Sequence, residues 1–438
     1  YAGQQGRRAL QDSAQSVAPR IGLAWSPKPG WAIRAAYGTY QIPWSGANYL
    51  DSAGGSYGWS LQGSLSTTDQ LTPVFTLGPT PAGAVFAYPN LAQGPHAGAI
   101  MFPTPADRPA SLMNGQSVNY SPREVPISYT HQAQFSIQRQ LADTVLKVGY
   151  IYTRGVNLTF YRDLNQVPAD KLGPGDAQLK RPYPQFQTIN ALLSDGSSVY
   201  HGVQFSVQRH FSRGFSFLAS YTFSKNLDTN TGWGWDSGSG TWQIGSDPMA
   251  NYGISDNDRT HNASGGFVYQ LPFGKGRRML NRGGVLDALV GGWQLSSMFR
   301  LLSGAPFTPT MSGANLSGAL SGAWRPNRIG KGTVPNPTID LWFDPSAFAA
   351  PDPYTFGNSG RNILRGPGFK NVDLSLAKSV GLPMLGEAGQ LQLRVDATNA
   401  LNITNWGMPL SGIGGVQVGA ITWCHAMRAV QIGAKLAF

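Results

Sequence analysis

The chain has 438 residues, a formal net charge of +11 and only 13% charged residues. Soluble proteins carry roughly 25% charged residues, so the composition argues against an ordinary soluble domain. The single cysteine, Cys424, excludes an internal disulfide and argues against a cysteine-based metal site. The basic residues are scattered, which argues against a nucleic-acid partner. No apolar run reaches the roughly 18 to 20 residues that a membrane helix needs.

Period-two alternation of apolar and polar residues predicts eleven β-strands. The polar positions carry mostly Ser, Thr, Gln and Gly, whereas a soluble sandwich would present Lys and Glu to water. This choice of polar residues suits a hydrated lumen. In chain order, the strands are expected at about 18–27, 31–41, 128–139, 143–154, 198–210, 214–226, 260–271, 291–303, 370–379, 390–401 and 428–438.

The connections between these strands alternate between short and long along the chain. Short periplasmic turns and long external loops are typical of outer-membrane barrels. The expected fold is therefore all-β, an antiparallel transmembrane β-barrel. One connection, 272–290, is long for an inner turn.

The last predicted strand, 428–438, ends on an aromatic residue. Val430, Ile432, Leu436 and Phe438 share one face of this strand. This pattern resembles the C-terminal signal by which outer-membrane barrels are recognised for insertion, so the barrel-assembly machinery is an expected partner. The alternative is an ordinary half-buried strand.

An odd number of strands is unexpected, because single-chain bacterial barrels have even numbers. An open sheet would also leave two unpaired edges in lipid. The first residues lack the apolar segment of a signal peptide. We therefore expect residues 1–438 to be the C-terminal portion of a longer barrel. The plug, the N-terminal domain and the first barrel strands would lie outside this chain.

Nine short segments carry a resemblance to a known family. They include FLASYTFSK at 217–225 and WFDPSAF at 342–348. In the same order as here, they resemble the barrel of TonB-dependent transporters, specifically the Oar-like (acidobacterial, carboxypeptidase-regulatory-like-domain-containing) group. The segments are 18–25, 182–186, 217–225, 271–276, 292–295, 303–307, 342–348, 364–369 and 399–402.

The resemblance implies a 22-stranded barrel in the bacterial outer membrane, of which this chain supplies about eleven strands. A plug would gate uptake, and proton-motive force relayed by the TonB complex through the missing N-terminal region would drive it. The other partners would be outer-membrane lipid and a transported substrate that the sequence does not name. No cofactor and no enzymatic activity are expected. The alternatives are a passive porin-like channel, an outer-membrane barrel enzyme and a soluble β-rich binding module.

An aromatic-rich segment at about 227–259 is the candidate substrate-binding loop. Trp233, Trp235, Trp242 and Tyr252 stand among Gly and Ser, where exposed rings could stack on a ligand. The alternative is that these rings form an interfacial girdle or pack the loops against one another.

Five charged residues fall on predicted polar strand faces: Arg34, Lys147, Arg300, Arg394 and Asp396. In a lumen they could contact the plug or guide anions. They could equally form a solvated charge network.

Acidic residues at 256 and 258, near His261, raise the question of calcium. Asp256, Asn257 and Asp258 offer hard oxygen ligands, but their spacing lacks a known calcium-loop pattern. The favoured interpretation is a turn that enters the next strand, and no metal site is predicted.

Overall fold

One antiparallel sheet dominates the structure, a computed structural model that describes residues 17–42, 114–120, 126–230, 242–382, 384 and 389–437. Within these ranges, eleven long strands each pair with the next one along the chain. All eleven predicted strands are thereby confirmed. They are β1 (Arg20–Trp25), β2 (Trp31–Ile42), β3 (Ser128–Leu141), β4 (Thr144–Asp163), β5 (Ile189–Ser212), β6 (Phe215–Asp228), β7 (His261–Gln270), β8 (Trp293–Leu302), β9 (Phe369–Gly381), β10 (Gln390–Thr398) and β11 (Ala429–Ala437).

Shorter elements lie in the connections. The helix α1 (Val285–Val290) accounts for part of the long connection between β7 and β8. No helix of the described chain combines the length and the apolar character needed to cross a bilayer. The short strands are Val118–Tyr120, Gly253–Ile254, Pro306–Phe307, Thr310–Met311, Asn327–Arg328, Phe348–Ala349, Leu364–Arg365 and Gly412–Ile413, and the 3-10 helices are Ala169–Lys171, Gln178–Lys180, Pro248–Asn251 and Pro345–Ala347.

The two ends of the sheet differ in the length of their connections. At one end, here called the short-turn end, β3 joins β4 through residues 142–143 and β5 joins β6 through residues 213–214. Arg213 and Gly214 both have positive φ, 51° and 83°, as the type I′ turn that matches strand twist requires. The opposite, long-loop end carries connections such as 303–368 and 399–428.

Two strands are longer than the sequence predicts. β4 continues past 154 to Asp163, and β5 begins at Ile189 instead of about 198. Beyond the irregular register at Val156–Leu158, residues such as Phe160 and Leu192 are buried under the long loops. Alternation is lost there because both faces are covered, and period-two analysis depends on one face meeting water.

The register gives the sheet one polar and one apolar face. Directly opposed residues of an antiparallel pair share a face, and successive residues of a strand alternate. One row across seven strands is entirely polar: Gln138, Lys147, Ser206, Ser220, Ser264, Arg300 and Asn371. The neighbouring row on the opposite face is mostly apolar: Ile33, Ile137, Val148, Phe205, Tyr221, Ala263 and Leu301.

The apolar face is open, and the buried hydrophobic core lies elsewhere. Ile21 is 73% and Ile432 79% exposed, at the two edges of the sheet. Such an extended apolar surface is costly in water and suits contact with lipid. The main buried cluster instead sits among the loops of the long-loop end, and it comprises Phe307, Phe343, Ala347, Phe348, Leu364 and Ile413.

Cysteine labelling tests the assignment of the two faces. In a Cys424→Ser background, Ser206→Cys would place a thiol on the polar face of β5, and Val148→Cys would place one on the apolar face of β4. In vesicles, we expect a charged, impermeant maleimide to label position 206 at least about tenfold faster, because apolar surroundings suppress the reactive thiolate. A lipid-soluble maleimide is the control, and equal rates with the charged reagent would contradict the assignment.

Candidate functional site: the polar face and its arginine cluster

The five charged residues predicted to face a lumen all lie on the polar face. Lys147 and Arg300 belong to the same polar row of the register. Arg34 donates to Gln138 Oε1 at 2.9 Å, and Arg394 donates to Asp396 Oδ2 at 2.6 Å. Of the five, Arg394 and Asp396 are in contact, whereas Arg34, Lys147 and Arg300 stand on strands that do not neighbour one another, β2, β4 and β8.

A concavity of about 820 Å³ opens on the polar face. It lies between the middle of the sheet and the short-turn end. Polar and charged side chains from β5 to β11 line it, together with apolar side chains such as Leu218 and Met298. The polar side chains that line it include Ser216, Ser296, Asp373, Ser375, Arg394, Asp396 and Gln431.

Above this concavity, toward the long-loop end, three arginines lie near one another, and one of them pairs with a buried carboxylate. Arg365 pairs with Asp258 at 2.6 Å, and the Asp258 side chain is fully buried. Arg259 donates to the backbone oxygens of Asp256 at 3.1 Å and Asp258 at 2.8 Å. Arg300, from β8, is the third member. We call Arg259, Arg300 and Arg365 the arginine cluster.

The guanidinium groups of the arginine cluster repel one another, and this repulsion affects the pKa of Arg259. Burial lowers the pKa of Arg259, and repulsion from Arg365 and Arg300 lowers it further, against a partial offset from Asp258. An anion placed among the three guanidinium groups would relieve this repulsion. Sequence analysis identified Arg300 but missed the other two, because both lie in loops distant from β8 in sequence.

A buried network holds the long loops onto the strand ends. Arg361, in the 303–368 connection, forms an ion pair with Asp228 at the end of β6, and both side chains are buried. Arg361 also donates to the backbone oxygen of Asn251 at 3.1 Å. Arg325 is hydrogen-bonded to the Asn251 side chain, and burial together with the charge of Arg361 lowers the pKa of Arg325 to about 10.

The predicted aromatic binding loop is only partly described. Trp233 and Trp235 lie outside the described residues. Trp242 is 4% exposed and sits close to Gly245 and Gly322, so its ring face is not available to a ligand here. Loop packing, the alternative role, fits this position. Tyr252 is 36% exposed.

The acidic residues considered for calcium are paired with protein groups. Asp256 lies 3.8 Å from Arg361 and is hydrogen-bonded to the Asn362 side-chain amide. Asp258 accepts from the backbone N–H of Asn226 at 2.6 Å and pairs with Arg365. No group of three or more metal-ligating side chains occurs in the described ranges.

The C-terminal strand β11 presents its apolar face outward. Val430 and Leu436 are more than half exposed, as is Ile432. Phe438 lies outside the described residues. In the described sheet β11 pairs with β10 and occupies the edge.

Residues 1–431 match the family model described as an outer membrane beta barrel domain. The chain belongs to this family. The protein is therefore a β-barrel protein of the bacterial outer membrane, which confirms the predicted fold class and localisation. No curated protein sequence is significantly similar to the chain.

Several solved structures of outer-membrane proteins align with nearly the whole chain. The outer membrane transporter YddB from Escherichia coli shares 9% identity at a TM-score of 0.48, over 97% of this chain and 41% of that one. The siderophore receptor PiuA from Acinetobacter baumannii shares 10% identity at a TM-score of 0.43, and the alignment covers 95% of this chain and 35% of that one. The FrpB iron transporter from Neisseria meningitidis shares 10% identity at a TM-score of 0.42, and the alignment covers 96% of this chain and 39% of that one. The chain thus spans about two fifths or less of each of these proteins.

Removing Arg361 tests the role of the buried network. Arg361→Met would leave the carboxylate of Asp228 buried without its ion pair, a change that costs about 3–5 kcal/mol. We expect amide hydrogen exchange in residues 248–260 to accelerate by about two to three orders of magnitude. Lys331→Met is the matched control, because Lys331 is exposed in the same connection. Unchanged exchange in the Arg361 variant would show that the network does not hold the loop.

Proposed function

We propose that the chain is the C-terminal portion of the barrel of a TonB-dependent outer-membrane transporter of the Oar-like group. The observation that carries this proposal is the continuous polar face of eleven paired strands in a member of an outer-membrane barrel family. Such a face needs a hydrated or protein-filled lumen on its inner side. The nine collinear segments that resemble the Oar-like group point to a plugged transporter.

The proposed barrel has about 22 strands, and the segment that supplies the others also supplies the plug and the contact with TonB. An isolated sheet of eleven strands would leave the backbone groups of β1 and β11 unpaired in lipid, which is strongly unfavourable. The long-loop end faces the outside in this arrangement. The apolar face of β11 then serves as the insertion signal for the barrel-assembly machinery.

Within this transporter, we propose that the arginine cluster attracts an anionic substrate at the outer part of the lumen. In the cluster, Arg365 pairs with Asp258, and Arg365 and Arg300 both lie close enough to Arg259 to repel its charge. Arg300 is contributed from the polar face itself. Guanidinium groups bind carboxylates and phosphates with paired hydrogen bonds. Lower in the lumen, Arg394 and Asp396 lie in the concavity, where they can contact the plug or the passing substrate.

The rival functions have less support. A passive channel would use the same polar face but needs no plug or energy coupling. An outer-membrane enzyme would need a catalytic constellation, and the carboxylates at 256 and 258 instead pair with arginines. A soluble β-rich module is opposed by the open apolar face and by the family.

Energy coupling separates a gated transporter from a passive channel. In cells that produce the protein in its natural form with Cys424→Ser, we expect labelling of Ser206→Cys by an impermeant maleimide to depend on the energised inner membrane. A plug that shields the lumen moves only when energy is supplied, so a protonophore should slow the labelling. Labelling that is fast and indifferent to the protonophore would favour the passive channel. The control for reagent access is the unaltered protein, whose exposed Cys424 lies in the 399–428 connection of the long-loop end.

Anion binding tests the arginine cluster. With the protein purified in its natural form in detergent, we expect citrate, as a probe anion, to bind with an affinity that Arg300→Gln lowers about tenfold or more, because charge-assisted hydrogen bonds contribute about 1.5–3 kcal/mol each. Arg34→Gln is the matched control, since Arg34 lies on the same face but on the distant strand β2. Equal losses in both variants would mean that net charge alone attracts the anion.

A further inference from the structure

Three tyrosine–histidine pairs repeat the same geometry across the sheet. Tyr hydroxyls contact His Nδ1 at 2.7–2.8 Å in each. In every case the tyrosine stands two residues before the residue that directly opposes the histidine, namely Thr39, Tyr152 and Phe223. The pairs are Tyr37–His131 across β2 and β3, Tyr150–His201 across β4 and β5, and Tyr221–His261 across β6 and β7.

All three pairs lie on the apolar face, at one height. The histidines stand 10, 11 and 9 residues from the short-turn ends of their strands, which are Leu141, Ser212 and Gln270. A strand crosses the hydrocarbon core of a bilayer in about 9–11 residues. The three histidines therefore lie at the boundary where the lipid-facing surface leaves the hydrocarbon and meets the headgroups.

Two further cations stand beside these histidines on the apolar face. Arg154 directly opposes His131, and Lys225 directly opposes His201. The register places both on the apolar face, and both side chains are exposed. We call the set of His131, Arg154, His201, Lys225 and His261, with their tyrosines, the outer rim.

Each histidine is oriented by its tyrosine. When the hydroxyl donates to Nδ1, the ring keeps its proton on Nε2. Among the described residues, no hydrogen bond to Nε2 occurs in any of the three rings. In that tautomer each ring offers its Nε2–H as a donor at the lipid-facing surface, beside a lysine or an arginine in two of the three cases.

The surface directly below the outer rim is apolar. Phe135 and Phe205 are exposed on the same face, closer to the short-turn end. A ligand that fits both parts carries anionic groups next to acyl chains. Free phosphate would contact only the histidines and cations of the outer rim and not the phenylalanines. The combination favours a lipid over a soluble anion.

We propose that the outer rim binds the phosphorylated headgroups of the glycolipid in the outer leaflet. Arg154 and Lys225 supply the charge, and the three histidines supply oriented hydrogen bonds to phosphate oxygens. Acyl chains lie along the phenylalanines below. The outer rim is distinct from the arginine cluster, because the two lie on opposite faces of the sheet.

Lipid retention by the purified full chain tests this inference. Native mass spectrometry in detergent would compare diphosphoryl lipid A with the same lipid after removal of its phosphates. We expect Arg154→Gln with Lys225→Gln to lower retention of the phosphorylated lipid about tenfold or more. The control is Lys147→Gln with Arg34→Gln, which removes the same charge from the polar face of the same sheet and leaves the arginine cluster intact.

The outcomes separate the possible sources of binding. Loss in the rim variant alone, with weak retention of the dephosphorylated lipid by the unaltered chain, is the expected result. Equal loss in the control variant would overturn the proposal in favour of net charge, and equal retention of the two lipids would reduce the rim to an acyl-chain surface. Displacement by inorganic phosphate as effective as by lipid A would also overturn it. Heat-modifiable electrophoretic mobility verifies that both variants are folded.

Discussion

Backbone pairing within the bilayer is the constraint on which the rest of this structure depends. A lipid-exposed strand has no water to satisfy its N–H and C=O groups, so each strand must pair along its full membrane depth. The strands from β2 to β10 meet this requirement on both sides, and the ladder fixes their register without slippage over the central rows. A one-residue slip would carry Lys147 and Arg300 onto the lipid-facing side. Register therefore determines where every charge of the sheet is placed.

The long-loop end is organised by different physics. There the chain is surrounded by protein and water, and the segments fold around a small aromatic core that includes Phe307 and Phe343. Buried arginines, above all Arg361 paired with Asp228, connect these loops to the strand ends. Buried ion pairs contribute little net stability but strongly penalise alternative arrangements in which one partner is lost. The loops are therefore fixed in position above the polar face.

The positive charge of the chain is divided between the two faces and serves a different purpose on each. On the polar face, the arginine cluster concentrates cations where burial and mutual repulsion lower the pKa of Arg259. On the apolar face, Arg154 and Lys225 stand with the tyrosine–histidine pairs toward the long-loop end, and Arg139, Arg209 and Lys378 stand within a few residues of the short-turn end. A charge in the hydrocarbon itself would be costly. The same net charge thus serves a proposed anion path inside and a proposed lipid contact outside.

The sequence by itself determined the eleven strands, their faces and their alternating connections, because alternation is a local pattern that lipid on one side and water on the other impose on every strand. It also placed Arg34, Lys147, Arg300, Arg394 and Asp396 on polar positions. It failed where both faces of a strand are buried, as in β4 beyond 154. It also left two roles open for Trp242, ligand binding and loop packing, and the structure buries this ring. Only the tertiary structure decided that Arg259 and Arg365 join Arg300, and that Tyr37, Tyr150 and Tyr221 reach histidines on neighbouring strands. These contacts join residues from about 40 to more than 100 positions apart, and they depend on register and loop packing, which no local pattern encodes.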